Sequence, residues 1–357
     1  MTYEPNALRA EWMRLRASEK GLHALELAER LEVSECQLLA SASGAIEPVS
    51  AIRLEASWPE LIAKLPKLGH VKTVTRNPHA VIEVEGTYDN IEFFGAMGQS
   101  VSSIDLRFFV SRWAHGFAVR EETRRGISRG LQFFDKTGRA IHKLYLRDTS
   151  DTAFFDALVR DHTSSDQSAR QAVEPAPLAP TPRRDEEIDL VGLREAWLAM
   201  KDTHEFFGLL RKFDVARTQA FRLIGDDLAR GVERDSLEKV LYAAAGTELP
   251  FMTFVGNPGI VQIFTGTIVK VAPMGPWINV LDPGFDLHVR QDRIDSAWVV
   301  RKPTADGVVT ALELYDAEGE QIALLVGKRK PGQQENAAWR ALVEGLRSSA
   351  RVPGATS

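Results

Sequence analysis

The sequence predicts an α+β protein built by tandem duplication, in which each half is an antiparallel β-sheet with helices before it and one helix after it. Three observations carry this: a long internal repeat, two-residue alternation within it, and helical spacing on its flanks. Asn77-Pro78 through Gly86-Thr87 aligns without gaps on Asn257-Pro258 through Gly266-Thr267, an offset of 180 residues. After a one-residue insertion the offset is 181, with Asp105-Leu106-Arg107 on Asp286-Leu287-His288, Phe117-Ala118-Val119 on Trp298-Val299-Val300, and Phe134-Asp135 through Gly138 on Tyr315-Asp316 through Gly319. A chain of 357 residues suits two such units, because single cores stop growing at roughly 250 to 300 residues.

The elements follow in order. Residues 6–40 have apolar residues at helical spacing. Alternation as in Val81-Ile82-Glu83-Val84-Glu85 then marks a β-meander, and Asp135-Lys136-Thr137-Gly138 between strand patterns reads as a hairpin turn, where Asp and Gly accept the backbone angles required. A helix is expected over 151–162. Residues 163–188, with Pro175, Pro177, Pro180 and Pro182 close together, read as an exposed, semi-extended linker. The second copy repeats the scheme, with helices over 190–245, strands such as Ala311-Leu312-Glu313-Leu314-Tyr315, a turn at Asp316–Gly319 and a helix over 335–348. The expected organisation is therefore an N-terminal repeat (1–162), a linker (163–188) and a C-terminal repeat (189–357).

Composition narrows the function. With 44% hydrophobic and 26% charged residues the chain can bury large cores. Its net charge of -5 provides no global field for nucleic acid or anionic lipid. The single cysteine, Cys36, excludes an intramolecular disulfide, and no Cys/His cluster has zinc-site spacing. Neither a secretory signal nor a stretch of roughly 18 apolar residues is present, so a cytoplasmic location without membrane insertion is expected. No nucleophile elbow, phosphate-binding loop, dinucleotide fingerprint or two-histidine helix motif occurs, and no residue is assigned as catalytic. His23 through Leu38 resembles a helix-turn-helix, with Ser34 capping the second helix. Its recognition stretch, Ser34 to Ser43, has no Lys or Arg, which argues against DNA binding.

The sharpest local signal is Lys201 through Phe213. Asp202 or Thr203 can cap a helix whose apolar stripe is Phe206, Leu209, Leu210 and Phe213. His204, placed in the first turn, shares the opposite face with Gly208 and Arg211, so a planar group could stand on the imidazole where Gly208 leaves space. The positive end of the helix dipole keeps that ring neutral, as iron ligation needs. The plain alternative is a solvated surface histidine. Arg107, in the strand-like run Ile104–Val110, has His288 as its repeat partner. Its plain alternative is an ion pair with Asp105.

The ordered set Asn77-Pro78, Asp105–Phe109, Thr203–Phe207, Arg217–Phe221, Phe251–Pro258 and Gly327-Lys328-Arg329 resembles the cytoplasmic hemin-degrading factor family of bacterial heme uptake. The resemblance covers nearly the whole chain. It implies heme (iron protoporphyrin IX) held in a cleft between the two halves, with His204 as axial and metal ligand and Arg107 on the distal side. Phe109 and Phe254 would pack on the porphyrin, and Arg217, Lys302 and Arg329 would face the propionates. Two departures are Val326, where many relatives carry an aromatic residue, and His288, a second possible ligand. The implied function is heme carriage from an importer at the inner membrane to a heme-degrading enzyme. The alternative is an oxygenase-like heme-degrading enzyme that uses external electrons.

Overall fold

The computed structural model describes residues 3–19, 21–45, 47–124, 126–178, 181–329 and 332–349. The architecture is α+β, and the strands fall into two nine-stranded antiparallel sheets. Two compact units are formed. The first comprises Met1–Arg76, Glu83–Pro177 and Gly256–Gln262, the second Asn77–Ile82, Leu178–Val255 and Ile263–Ser357.

The first half of the chain runs α1 (Pro5–Ser18), α2 (Ala24–Arg30), α3 (Glu35–Ala40), β1 (Val49–Leu54), α4 (Trp58–Ile62), β2 (Val71–Arg76), β3 (Ala80–Gly86), β4 (Ile91–Phe94), β5 (Met97–Ser100), β6 (Asp105–Phe109), β7 (His115–Thr123), β8 (Gly126–Phe134), β9 (Ala140–Leu146) and α5 (Thr152–Asp161). Within the first unit the strands pair in the order β1-β7-β8-β9-β2, all antiparallel, and β4, β5 and β6 form a meander. Helices α1 to α3 cover one face of the main sheet, where Trp12, Leu27, Leu38 and Leu39 close a core with Val49, Ala51, Phe117, Val119 and Phe134.

The second half runs α6 (Leu190–Leu198), α7 (Glu205–Lys212), α8 (Arg217–Ile224), β10 (Ala229–Val232), α9 (Ser236–Thr247), β11 (Phe251–Asn257), β12 (Ile260–Gly266), β13 (Val271–Met274), β14 (Trp277–Asp282), β15 (Phe285–Arg290), β16 (Ser296–Thr304), β17 (Gly307–Tyr315), β18 (Gln321–Gly327) and α10 (Ala337–Glu344). Within the second unit the order is β10-β16-β17-β18-β11, with β13, β14 and β15 as the meander. The helices α6 to α8 bury Trp197, Phe206, Leu210 and Phe221 against Trp298, Val300 and Tyr315. Edge-to-face and stacked rings fix this core, with Trp197 and Phe206 4.5 Å apart and Phe221 5.7 Å from Trp298.

The predicted hairpin turns are present. Asp135 Oδ1 accepts from the Thr137 and Arg139 N–H groups, and Asp316 Oδ1 accepts from those of Glu318 and Glu320. Gly138 and Gly319 follow at φ of +80° and +81°, where a Cβ would be strained. The Asn-Pro motif also has a structural role. In the second unit Asn77 Nδ2 donates to the Ile322 carbonyl at 2.8 Å, and its Oδ1 accepts from the Ala80 N–H. In the first unit Asn257 Nδ2 donates to the Ile141 carbonyl at 2.8 Å, and its Oδ1 accepts from the Gly259 N–H. Each amide satisfies backbone groups that the turn leaves open.

Two expectations are corrected. Helix does not fill 190–245, because Ala229–Val232 is a strand paired with Ala297–Val300. The segment expected as an exposed linker is tied down in its first part: Gln167 exchanges two hydrogen bonds of 2.9 Å with the Arg53 backbone, and Ser164 and Gln171 are buried. The helix-turn-helix likeness is real in outline, with Ser34 capping α3, yet five of the six α3 residues are buried, so no recognition face is free to enter a groove. Among the described residues no helix is long and apolar enough to cross a membrane.

Candidate functional site

The second unit gathers most of the expected site residues around α7. This helix forms because Phe206, Leu209 and Leu210 bury one face, and its other face stays open. His204 is the N-cap of α7, one position before the first turn assigned to it, because its own N–H turns back to Asp202 Oδ1 at 2.9 Å. The same oxygen lies 2.6 Å from His204 Nδ1, and the imidazole side chain is 88% exposed. A carboxylate only accepts, so Nδ1 carries a proton and Nε2 is the ring nitrogen left for a ligand. The His204 backbone N–H and, with smaller effect, its side chain hold the Asp202 carboxyl below the usual range against partial burial, and Arg329 adds to this. Arg329, half-buried just beyond β18, thus lies within electrostatic reach of the residue that holds His204. A Cβ built on Gly208 meets nothing within 4 Å, so the space predicted there exists.

Beneath α7 lies a buried charge cluster. Glu313, on β17, is fully buried and accepts from Arg217 Nε at 2.9 Å, Lys302 Nζ at 2.6 Å, Gln321 Nε2 at 3.0 Å and the Tyr315 hydroxyl. Arg217 begins α8 and stacks its guanidinium 5.1 Å from the Phe206 ring centre, while Lys302 Nζ stands 4.6 Å from the same centre. Burial alone would raise the Glu313 pKa, but Arg217 and Lys302 outweigh it and hold the group well below the usual carboxylate range. Burial pushes Lys302 down, against the pull of Glu313. Arg217 and Lys302 thus both face the carboxylate of Glu313. One carboxylate facing two cations is a site one negative charge short.

Register puts an apolar patch on the same sheet face. Glu313 pairs with Leu324, which pairs with Phe254, and Ala311 pairs with Val326, which pairs with Met252. Met252, Phe254 and Leu324 are half-buried and pack on Val309, Ala311 and Val326. Val326 thus keeps the patch apolar where an aromatic residue was expected.

Arg107 and Phe109 lie on β6 of the first unit. Arg107 is partly exposed and pairs with Asp105, as its plain alternative supposed, and its Nη1 also donates to the Leu106 carbonyl at 3.0 Å. Burial raises the Asp105 pKa, with Arg107 opposing. Phe109 is half-buried. His288 Nδ1 donates to Asn279 Oδ1 at 2.7 Å within β14-β15.

Three contributors escaped the sequence reading. Glu313 was read only as part of an alternating strand, and Asp202 only as a possible cap. The third is a counterpart of the site in the first unit, where His23 is the N-cap of α2, 181 residues before His204. There Gly21 stands at the Asp202 position, Glu35 opens α3 as Arg217 opens α8, Glu121 replaces Lys302 and Gln132 replaces Glu313. Glu35 is held by Arg76 and by Lys143 Nζ at 2.9 Å. Extending the repeat offset to the N-terminal helices, with one further residue of shift at Glu35 and Arg217, would have revealed this divergence.

The family model described as "Haemin-degrading HemS.ChuX domain" matches residues 32–162 and 214–346. The chain is 40% identical over 338 residues to the hemin transport protein HmuS of Yersinia pestis, covering 94% of this chain and 95% of that protein. It is similar to the solved structure of holo-PhuS, a heme-binding protein from Pseudomonas aeruginosa, at 40% identity and a TM-score of 0.93, covering 97% of this chain and all (100%) of that one. It is similar also to the heme degrading enzyme ChuS of Escherichia coli, at 36% identity and a TM-score of 0.88 over 96% of this chain and 100% of that one.

Proposed function

The chain belongs to the haemin-degrading HemS/ChuX family, and from that premise we propose that it binds heme through the second-unit site and carries it in the cytoplasm from an inner-membrane importer to a heme-degrading enzyme. The observation that carries the reading is His204, an exposed imidazole whose Nδ1 is tied to Asp202 and whose Nε2 is free to meet iron. The residues fit the group. The same unit carries the open surface at Gly208, the apolar patch of Phe254, Met252 and Leu324, and a cation cluster short of one negative charge, which a propionate carboxylate would supply. Arg217, Lys302 and Arg329 take the propionate roles in this proposal, and Arg107 and Phe109 keep the distal and porphyrin-packing roles that the resemblance implies.

A bound heme supplies the redox and ligand-exchange chemistry of its iron. The chain's part is to offer one neutral imidazole, to shield the porphyrin face and to balance its carboxylates. A single strong axial ligand holds iron while leaving it exchangeable, which suits carriage. Transfer is the test. Hemin-loaded protein mixed with a heme oxygenase lacking heme should deliver its load faster than free hemin dissociates from the His204 site into an apo-myoglobin trap. Delivery no faster than trapping would contradict a dedicated hand-over.

A second reading, degradation by this chain itself, is favoured by its likeness to ChuS, described as a heme degrading enzyme. Electrons and oxygen would then come from outside. Loss of the Soret band under reductant and air that persists with catalase supports this reading, whereas its suppression by catalase assigns the breakdown to free peroxide.

A further inference from the structure

Resting on the proposed role of His204, we infer that Asp202 is the positioning residue of the axial ligand: its carboxylate fixes the imidazole's tautomer and orientation and strengthens its donation to ferric iron. The geometry is specific. One oxygen, Asp202 Oδ1, accepts both the His204 backbone N–H at 2.9 Å and the ring Nδ1–H at 2.6 Å, so ring and backbone are clamped to one point two residues upstream. An imidazole that donates Nδ1–H to a carboxylate acquires imidazolate character, which raises the basicity of Nε2 and favours the higher-charged iron.

The molecule contains its own control. His23 occupies the matching N-cap in the first unit, but Gly21 stands where Asp202 would be and offers no side-chain acceptor. His23 instead uses its backbone N–H in a capping box with Glu26 at 2.8 Å. A carboxylate two residues upstream is therefore not a requirement of the helix start, because in the duplicated helix Glu26, inside the helix, takes the N-cap N–H and the ring is left out of the contact. It accompanies a change of charge in the site, with Arg217 opening α8 where Glu35 opens α3, and Lys302 at the repeat position of Glu121.

The test compares full-length wild type with Asp202→Ala, Asp202→Asn and His204→Ala, using hemin as the probe. Before hemin is added, nitrogen NMR of wild type should show His204 protonated at Nδ1, and Asp202→Ala should shift the ring toward the Nε2–H tautomer. Ferric hemin affinity should fall about 10–100-fold in Asp202→Ala. Resonance Raman of the ferrous complex should show a lower iron–histidine stretching frequency in Asp202→Ala and in Asp202→Asn, which keeps an acceptor but loses the charge. Unchanged tautomer, affinity and stretching frequency in both Asp202 variants, while His204→Ala abolishes the histidine-ligated spectrum, overturns the role of Asp202 and leaves the heme site standing. A His204→Ala spectrum identical to wild type removes the ligand itself, and the inference with it.

Discussion

Replacing Glu313 by Gln keeps the side-chain volume and one acceptor oxygen, and removes the carboxylate that faces Arg217 and Lys302 in their buried cluster. The structure sets the magnitude. Glu313 is fully buried and takes hydrogen bonds from two cations, a phenol and an amide, so the variant takes from two largely buried positive charges the carboxylate that balances them. Breaking such a pair costs about 3–5 kcal/mol. Lys302 limits the loss by releasing its proton, because burial already lowers its pKa. A lysine whose folded pKa lies below its unfolded value binds fewer protons when folded, so stability rises with pH until the unfolded lysine also titrates, near 10.4. Urea unfolding followed by tryptophan fluorescence should therefore show Glu313→Gln weakened by about 3–5 kcal/mol at pH 7, with recovery toward pH 10 steeper than in wild type. Hemin should restore more stability to the variant than it adds to wild type, since its carboxylate meets the same unbalanced cations. A loss under about 1 kcal/mol with no pH dependence would refute the ion cluster and the charge argument built on it.

The remaining predictions concern other parts of the chain. His142 is buried between the Thr75 and Tyr88 hydroxyls, at 2.9 and 2.7 Å, and burial lowers its pKa to about 3. The unfolded chain takes up that proton near pH 6.5 and the folded chain does not, so acidification from pH 7 to 5 should remove about 2 kcal/mol of stability, a dependence that His142→Gln flattens in urea melts. Gly208→Ala should stabilise the hemin-free protein by about 0.5–1 kcal/mol in a thermal melt, because no atom lies within 4 Å of the new Cβ; Gly208→Phe should weaken hemin binding in an optical titration while leaving the fold intact. Asn77→Ala and Asn257→Ala should each cost about 1–3 kcal/mol in chemical unfolding, since each leaves matching turn amides and carbonyls without partners.

What was legible in the sequence was local. Asp135 and Asp316 announce their turns because the hydrogen bonds that make them lie within four residues, and period-two alternation survives in the strands they join. The open face of α7 could be read because helical spacing alone separates Phe206, Leu209 and Leu210 from Gly208. The strand Ala229–Val232 was hidden, since only pairing with residues nearly seventy positions later in the chain makes it extended. Glu313 was hidden for a similar reason. In a strand such as Ala311–Tyr315 a charge between apolar residues reads as solvent-facing, and the cation that buries it, Arg217, is 96 residues away. Asp202 looked like a cap because Asp before a helix usually is one. His204 displaced it by taking the N-cap itself and turning the carboxylate toward the ring.

The most direct measurement is an optical titration of wild type and His204→Ala with hemin, carried to excess and followed at the Soret band. Wild type should give a saturable, one-equivalent histidine-ligated spectrum, and His204→Ala a weakened complex with an altered band. Identical band positions and affinities in the two proteins would contradict it.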